Sequence, residues 1–345
     1  MSDLIYISKR FIHLIFLSLF ISFLTFSLMK ADFKIPKIKL DIAFIHLDTK
    51  EIQIQTGDPL ADLRLNPAIS AAQIEAESKR LGLDKGFFYQ YLTWLSNLIK
   101  GDLGYTQANQ RVIDVIIPAL KNTLILNLCA IFFSWLIAIP LGIICAIKQN
   151  SLLDLSVRFL LSSLMAMPSF ILAIFMLLFA LYSGWFPIGG LTSVVIDEMN
   201  FFERLIDITR HLFIPVSILT LLSIPSIQRQ MRANLLEILD RPYIRTALAK
   251  GLKFNIVIWK HALRNAINPL ITLFGFEFAG LFAGSALIEM VLAYPGLGLL
   301  TLEAARKQDI NIVMANLLLG SLMLVLGNLL ADLVLKKIDP RIKDI

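Results

Sequence analysis

Six apolar runs, each near the length of a bilayer-spanning helix, constrain this sequence more than any other feature. They are Phe11–Met29, Asn122–Ile147, Phe159–Tyr182, Leu212–Ile227, Ile267–Leu292 and Ile312–Leu335. A helix needs about 20 apolar residues to cross the hydrocarbon core of a bilayer. The composition agrees: 57 % of residues are hydrophobic and 17 % charged, against roughly 45–50 % and 25 % in a soluble domain. So much apolar surface cannot be hidden in a small core, and lipid is its natural solvent. Disorder, a collagen-like repeat and a disulfide scaffold are excluded, and an ordinary cytosolic enzyme nearly so. The expected class is an all-α integral membrane protein with six transmembrane helices.

The first run follows Lys9 and Arg10 and continues for 19 residues into Lys30. The apolar region of a secretory signal is usually about 7–15 residues with a small-residue cleavage site behind it, so an uncleaved anchor is expected. Prolines 140, 168, 215, 225 and 269 fall inside the other runs. In lipid such breaks survive where neighbouring helices or water satisfy the freed carbonyls, which points to kinked, broken helices around a pathway. Cys129 and Cys145 are 16 residues apart. That is roughly 24 Å along a straight helix, beyond disulfide reach.

Orientation follows from lysine and arginine. With the N-terminus inside, segments 1–10, 148–158, 228–266 and 336–345 carry 16 of them, and the short outside loops 183–211 and 293–311 carry 4. Both termini are therefore expected in the cytoplasm. The net charge of +6 belongs to basic loops beside an anionic membrane face, and no nucleic-acid partner is expected. The chain divides into a cytoplasmic N-terminus with the first helix (1–29), an extracytoplasmic insertion (30–121), a five-helix core (122–335) with a cytoplasmic loop at 228–266, and a cytoplasmic tail (336–345).

The insertion is too long for an unstructured connection. Alternation at Ile38, Leu40, Ile42 and Phe44, and at Ile52 and Ile54, predicts a small β-hairpin. Ser70 and Gln73 form a capping-box pattern, with Gly82 as the matching stop. The aromatic run Tyr89–Leu95 predicts a helix at an interfacial belt or on the bundle surface, and Lys100–Gly104 a turn.

The 228–266 loop carries the most information. Asp240-Arg241-Pro242 reads as a helix start, with the aspartate as cap and proline in the first turn. The helix runs on through Lys250 and stops at Gly251, and a second covers Asn255–Asn265. The small residues Thr246, Ala247 and Ala249 suit insertion into a groove on a partner. Periodicity allows an equal alternative, a basic loop lying on anionic lipid.

Tyr243-Ile244-Arg245-Thr246-Ala247-Leu248-Ala249-Lys250-Gly251-Leu252, followed by His261-Ala262-Leu263-Arg264-Asn265-Ala266 and Pro269, resembles the cytoplasmic loop of ABC-transporter permeases. The chain is similar to the dipeptide/oligopeptide/nickel subfamily, in particular to its B-type permeases. Gly57-Asp58-Pro59, Leu81-Gly82-Leu83-Asp84, Gln90-Tyr91-Leu92 with Trp94, Gly101-Asp102-Leu103-Gly104, Glu289, Tyr294-Pro295-Gly296-Leu297-Gly298 and Leu335–Arg341 agree in order. The general loop motif begins Glu-Ala-Ala, where this chain has Arg245-Thr246-Ala247, and its Leu-Pro ending is displaced to Pro269. The insert at about 31–56 is unusual for relatives.

The resemblance implies a type I ABC importer permease fold and a role as half of a translocation pathway for short peptides. Nickel or another small solute is the alternative within that subfamily, and export by the same machine is a further one. The implied partners are a paired homologous permease, two ABC ATPase subunits, an extracytoplasmic solute-binding protein and the lipid bilayer, in an inner membrane. Tyr243, Arg245, Thr246, Ala247, Ala249, Gly251, His261, Arg264 and Asn265 are the implied ATPase-coupling positions.

The sequence shows no phosphate-binding loop, no metal-ligand spacing and no nucleophile constellation. A non-catalytic subunit without cofactor or metal is expected, with ATP hydrolysis on a partner. Glu277 and Glu289 are the candidate pathway carboxylates, since such groups in a membrane usually face a cavity or a partner. Near the outer end, Glu289 is more readily a structural contact. Gly280 and Gly284 form a G-x-x-x-G suited to close helix packing. A proton-coupled secondary transporter using Glu277 and a non-transporting scaffold are the rivals from other classes. A relay of one carboxylate and the lack of inverted halves weigh against the first. The capped loop helix weighs against the second.

Overall fold

A computed structural model describes residues 16, 19–24, 26–27, 32–34, 40–42, 45–47, 53–55, 70–80, 85–307 and 309–338; for stretches of the helices, including 275–284 and 331–338, it describes the backbone alone. Gly57-Asp58-Pro59, the Gly82 stop and the residues after Ile338 lie outside the described residues.

The chain forms two compact units: residues 1–117 with 300–322, and residues 118–299 with 323–345. In the first, strands β1 (Asp32–Lys34) and β4 (Gln53–Gln55) pair antiparallel, as do β2 (Leu40–Ile42) and β3 (Ile45–Leu47). The alternation of Leu40 and Ile42 thus marks one arm of a hairpin. Ile54 lies in the strand that pairs with 32–34 instead. Helix α1 (Ala71–Arg80) follows the predicted capping box: the Ser70 amide donates to Gln73 Oε1 at 2.9 Å. Helix α2 (Phe87–Ile99) is the aromatic helix, and Gly101 and Gly104 turn the chain with positive φ. Its buried Tyr91 packs with Phe26, Ile310 and Met314.

The second unit is helical. Helix α3 (Val112–Ile147), which begins in the first unit, runs unbroken through Pro118 and Pro140. Helix α6 (Phe201–Leu239) likewise runs through Pro215 and Pro225. The breaks expected at Pro140, Pro215 and Pro225 are absent. A 39-residue helix extends about 58 Å, well beyond a bilayer core, and a complete capping box between Asn200 and Glu203 starts it.

The third run is where a proline does break a helix. It is two helices, α4 (Leu152–Ala166) and α5 (Ser169–Ser183), bent by 102°. Pro168 disfavours helical geometry at the residue before it, and Met167 is extended. The single span expected over Phe159–Tyr182 is therefore corrected to a bent pair. By length and composition, α3 and α6 suffice to cross a membrane, and the bent pair can count as a third span.

Helix α7 (Pro242–Ala249) follows, then α8, a helical stretch made of Phe254–Ile256, a π-helical turn Val257–Ala262 and Leu263–Ala266. Helix α9 (Asn268–Val291) carries Pro269 in its first turn. Helices α10 (Leu297–Arg306) and α11 (Ile310–Ile338) complete the chain. Two apolar clusters hold the second unit. One joins Ile143, Met231 and Leu235 to Ile244, Ile258 and Leu270. The other joins Leu126 and Leu172 to Ile214, Leu219, Ile288 and Tyr294.

Candidate functional site

The 228–266 loop has a defined shape with distinct causes at each end. Helix α7 begins at Pro242, whose missing N–H is no loss in a first turn. Its cap residue is Arg241, which makes no side-chain cap bond. The aspartate expected as cap, Asp240, instead terminates α6. It stands one residue too early for Pro242, because α6 runs on to Leu239. Helix α7 ends in a Schellman motif: Gly251 N donates to Leu248 O at 2.9 Å and Leu252 N to Ala247 O at 3.3 Å. That closure requires left-handed backbone at Gly251, where φ is +82°.

One side chain anchors α7. Ile244 is buried among Met231, Leu235, Val257 and Ile258. A second tie is polar. Asn265 Nδ2 donates to the Tyr243 hydroxyl at 3.0 Å and to the His261 carbonyl at 3.2 Å. Below them, Asn234 Nδ2 donates to Ala266 O at 3.0 Å, which joins α8 to α6. Thr246 turns its hydroxyl back onto the Pro242 carbonyl.

Tyr243, Arg245, Thr246, Ala249, Gly251, Arg264 and Asn265 are exposed, while Ala247 and His261 are half-buried. The structure therefore brings Tyr243, His261 and Asn265 together and leaves Arg245, Thr246 and Ala249 on a free outer surface. Sequence reasoning missed the apolar residues around that surface. Leu248, Leu252, Phe254, Ile256 and Trp259 are all exposed. The signal was present, since a solvated basic loop has no use for so many large apolar side chains.

A buried ion pair braces the start of α4. The Asp154 carboxylate has no exposed surface and receives Arg232 Nε and a terminal nitrogen at 2.8 Å each. It also accepts from the Asn150 amide at 3.0 Å, and Arg158 stands 3.6 Å away. The pair fastens the turn after α3 to the stretch of α6 that leads into α7.

The last turn of α9 carries a second polar node. Glu289 is fully enclosed. Its Oε1 accepts from Thr123 at 2.8 Å and Ser285 at 3.2 Å, and its Oε2 accepts from the Gly298 amide at 2.6 Å. Thr123 in turn accepts from the Leu297 amide at 2.8 Å. A carboxylate at the start of α10 also meets the positive end of the helix dipole. The Tyr294 hydroxyl donates to Asn122 O at 3.0 Å, and Asn122 Nδ2 donates to Pro295 O at 2.8 Å. The Tyr294–Gly298 turn is thus riveted to α3. A Cβ on Gly298 would collide with Ala286 and with this carboxylate. Glu277, Gly280 and Gly284 fall on α9, and their side chains lie outside the described residues.

Comparison with known proteins places this architecture. The family described as "Binding-protein-dependent transport system inner membrane component" matches residues 138–344, well over half of the chain. An oligopeptide transport system permease protein, AppB of Bacillus subtilis (strain 168), is 35 % identical over 83 % of this chain and 90 % of its own length. A dipeptide transport system permease protein, DppB of Escherichia coli (strain K12), is 33 % identical over 88 % and 93 %. Among solved structures, an inward-facing MetNI methionine ABC transporter chain superposes with a TM-score of 0.55 at 20 % identity. The match covers 66 % of this chain and 97 % of that one, a likeness of fold. The chain belongs to the binding-protein-dependent transport system inner membrane components, the permease subunits of ABC transporters.

Proposed function

We propose that this permease forms half of a pathway for short peptides and receives its driving force through α7. The observation that carries the coupling role is the two-sided build of that helix. Ile244 fixes one side to the body of the subunit, and Arg245, Thr246 and Ala249 stay exposed amid large apolar residues. Such a surface fits a cleft on an ATP-hydrolysing partner. A basic loop resting on lipid would not need the Schellman closure or the Tyr243–Asn265 tie. The peptide class rests on the oligopeptide and dipeptide permeases that the chain resembles.

The assembly we infer contains a paired homologous permease, two ATPase subunits and an extracytoplasmic binding protein. Six spans place both termini in the cytoplasm and residues 30–121 outside. Closure of the ATPases moves α7 and α8, and through the inner cluster it moves α6 and α9. Access then alternates between the two faces. Within this scheme Glu277 lines the pathway, Gly280 and Gly284 permit close helix approach, and Glu289 holds the Tyr294–Gly298 turn.

The test is extraction of the tagged permease from its native membrane in mild detergent, with mass spectrometry of what accompanies it. Recovery of a second permease and ATP-binding chains, together with ATP-dependent peptide uptake by the reconstituted complex, is expected. Recovery of the chain alone, with uptake abolished by an uncoupler and indifferent to ATP, would contradict the reading.

A further inference from the structure

Helix α2 has three main faces, with Tyr89 and Ser96 on a narrow strip between the second and third, and the coupling machinery uses none of them. Phe87, Tyr91, Trp94 and Leu98 share one face by helical spacing. Gln90, Thr93 and Asn97 share another, and Phe88, Leu92, Leu95 and Ile99 a third. The first face is the packed one. Tyr91 is buried, its hydroxyl lies 2.9 Å from Ser22 Oγ and 3.2 Å from the Leu19 carbonyl, and Phe26 packs on Phe87 and Tyr91. The second is polar. The third is wholly apolar; Leu95 on it is half-buried, but Phe88, Leu92 and Ile99 are exposed at 68 %, 61 % and 81 %.

We propose that the third face is a lipid-contact surface and that α2 lies in the outer membrane interface against acyl chains. This rests on reading Phe11–Met29 as the first span. Four observations select lipid as the occupant. The first is continuity: Phe88 stacks on Phe23 at 6.4 Å, and Phe16, Phe20, Phe23 and Leu24 of that run are themselves exposed. The uncovered stripe of α2 therefore extends the uncovered side of the span. The second is depth. The ring contacts fall on Phe23 and Phe26, six and three residues before the run ends at Met29, and the Tyr91 hydroxyl reaches Ser22 and Leu19, seven and ten residues before it. At 1.5 Å per residue these lie about 5–15 Å inside the apolar boundary, within the outer half of a core of about 30 Å.

The third is length. Thirteen residues make a helix of about 20 Å, too short to cross a core of about 30 Å. The fourth is its ends. Lys85 and Lys100 flank the helix and are exposed, and such residues settle at the headgroup level. A water-facing side would have no reason to be wholly apolar when the opposite face is polar.

The experiment places a nitroxide at Leu92→Cys, at Ile99→Cys and, on the polar face, at Thr93→Cys. Cys129 and Cys145 are replaced by alanine, and the complex without an added cysteine serves as the blank. The whole transporter is reconstituted in phosphatidylethanolamine/phosphatidylglycerol vesicles. Collision rates are then measured with oxygen, which concentrates in lipid, and with a water-soluble nickel chelate. Oxygen collisions severalfold above nickel collisions at 92 and 99, reversed at 93, are expected. Nickel-dominated collisions at both stripe positions would overturn the proposal in favour of a solvated face. Low access to both reagents would overturn it in favour of a protein partner. A label at Phe16→Cys separates the layers: if it too meets nickel more than oxygen, the first-span reading fails along with the proposal.

Discussion

The Asn265 side-chain amide donates to the Tyr243 hydroxyl at 3.0 Å across 22 residues of sequence. This bond joins the short helix α7 to the helix that leads into α9. The same amide also donates to the His261 carbonyl one turn earlier in its own helix, which holds the side chain where it reaches α7. Replacing Asn265 with alanine removes two donors, each worth about 0.5–1.5 kcal/mol net. Membrane insertion is expected to persist while ATPase recovery on purification falls several-fold. Tyr243→Phe removes the same interhelix bond and is expected to lower recovery by a similar factor.

Gly251 separates backbone strain from bulk. A Cβ there meets nothing within 4 Å, but φ is +82°. The cost of a side chain is thus conformational, roughly 1–2 kcal/mol for most residues and less for asparagine. Gly251→Asn is expected to support peptide uptake near the parent rate. Gly251→Val, β-branched and at positive φ, is expected to lower uptake about tenfold. Equal rates in the two variants would show that the closure of α7 does not depend on this residue.

The Asp154–Arg232 pair invites a double-mutant cycle. Removing one member of a buried pair leaves an uncompensated charge and typically costs about 3–5 kcal/mol, whereas an apolar replacement of both is often near neutral. Asp154→Leu and Arg232→Met are each expected to lower the thermal unfolding temperature of the purified complex sharply. Together they should restore most of it. Additive losses would show that the two side chains do not act as a pair.

Glu289 accepts from two side chains and from a backbone amide in a site without water access. Glu289→Ala orphans the Thr123 hydroxyl and the Gly298 amide together, at about 1–3 kcal/mol for each buried group. Glu289→Gln keeps one acceptor oxygen and should lose less. Limited proteolysis of the Tyr294–Gly298 turn is the readout, with cleavage expected to quicken in the order parent, Gln, Ala.

Burial, and secondarily the neighbouring Glu289, push the Tyr294 phenol above the ordinary tyrosine range. A raised folded value means that the native state keeps a proton the unfolded chain releases. The contribution to stability is complete below the unfolded value near 10 and declines as pH rises through the folded one. Tyr294→Phe is expected to flatten the alkaline limb of the stability profile while lowering stability at neutral pH by about 1 kcal/mol. An unchanged alkaline limb would assign that limb to other groups.

Local features of the sequence foretold local structure. Pro242 and Gly251 bound α7 because a missing N–H and a positive φ act on their own turn, and Ser70 and Gln73 cap α1 for the same reason. Pro168, Pro215 and Pro225 looked alike in the sequence, yet only the first breaks its helix. Whether neighbours absorb the freed carbonyl is a tertiary matter, and no window of sequence contains it. The polar nodes were hidden by distance. Asp154 and Arg232 are 78 residues apart, and Thr123 and Glu289 are 166 apart. Ser151 caps α4 by accepting from the Asp154 amide, but nothing in that local pattern names Arg232. The coupling positions came from a resemblance. The large apolar Leu248, Phe254 and Trp259 around them stood in the sequence, but packing decides which apolar residues of the loop are buried and which exposed.

The most direct measurement bears on the outer surface of α7. A photoreactive benzoyl-phenylalanine at Ala249, which is exposed and carries no contact the helix depends on, reports whatever occupies that surface in native membranes. A crosslink to an ATP-binding chain, with a yield that changes when ATP is trapped, is the predicted result. Crosslinks confined to lipid, or to a protein without an ATP-binding domain, would contradict the assignment of α7 as the coupling helix.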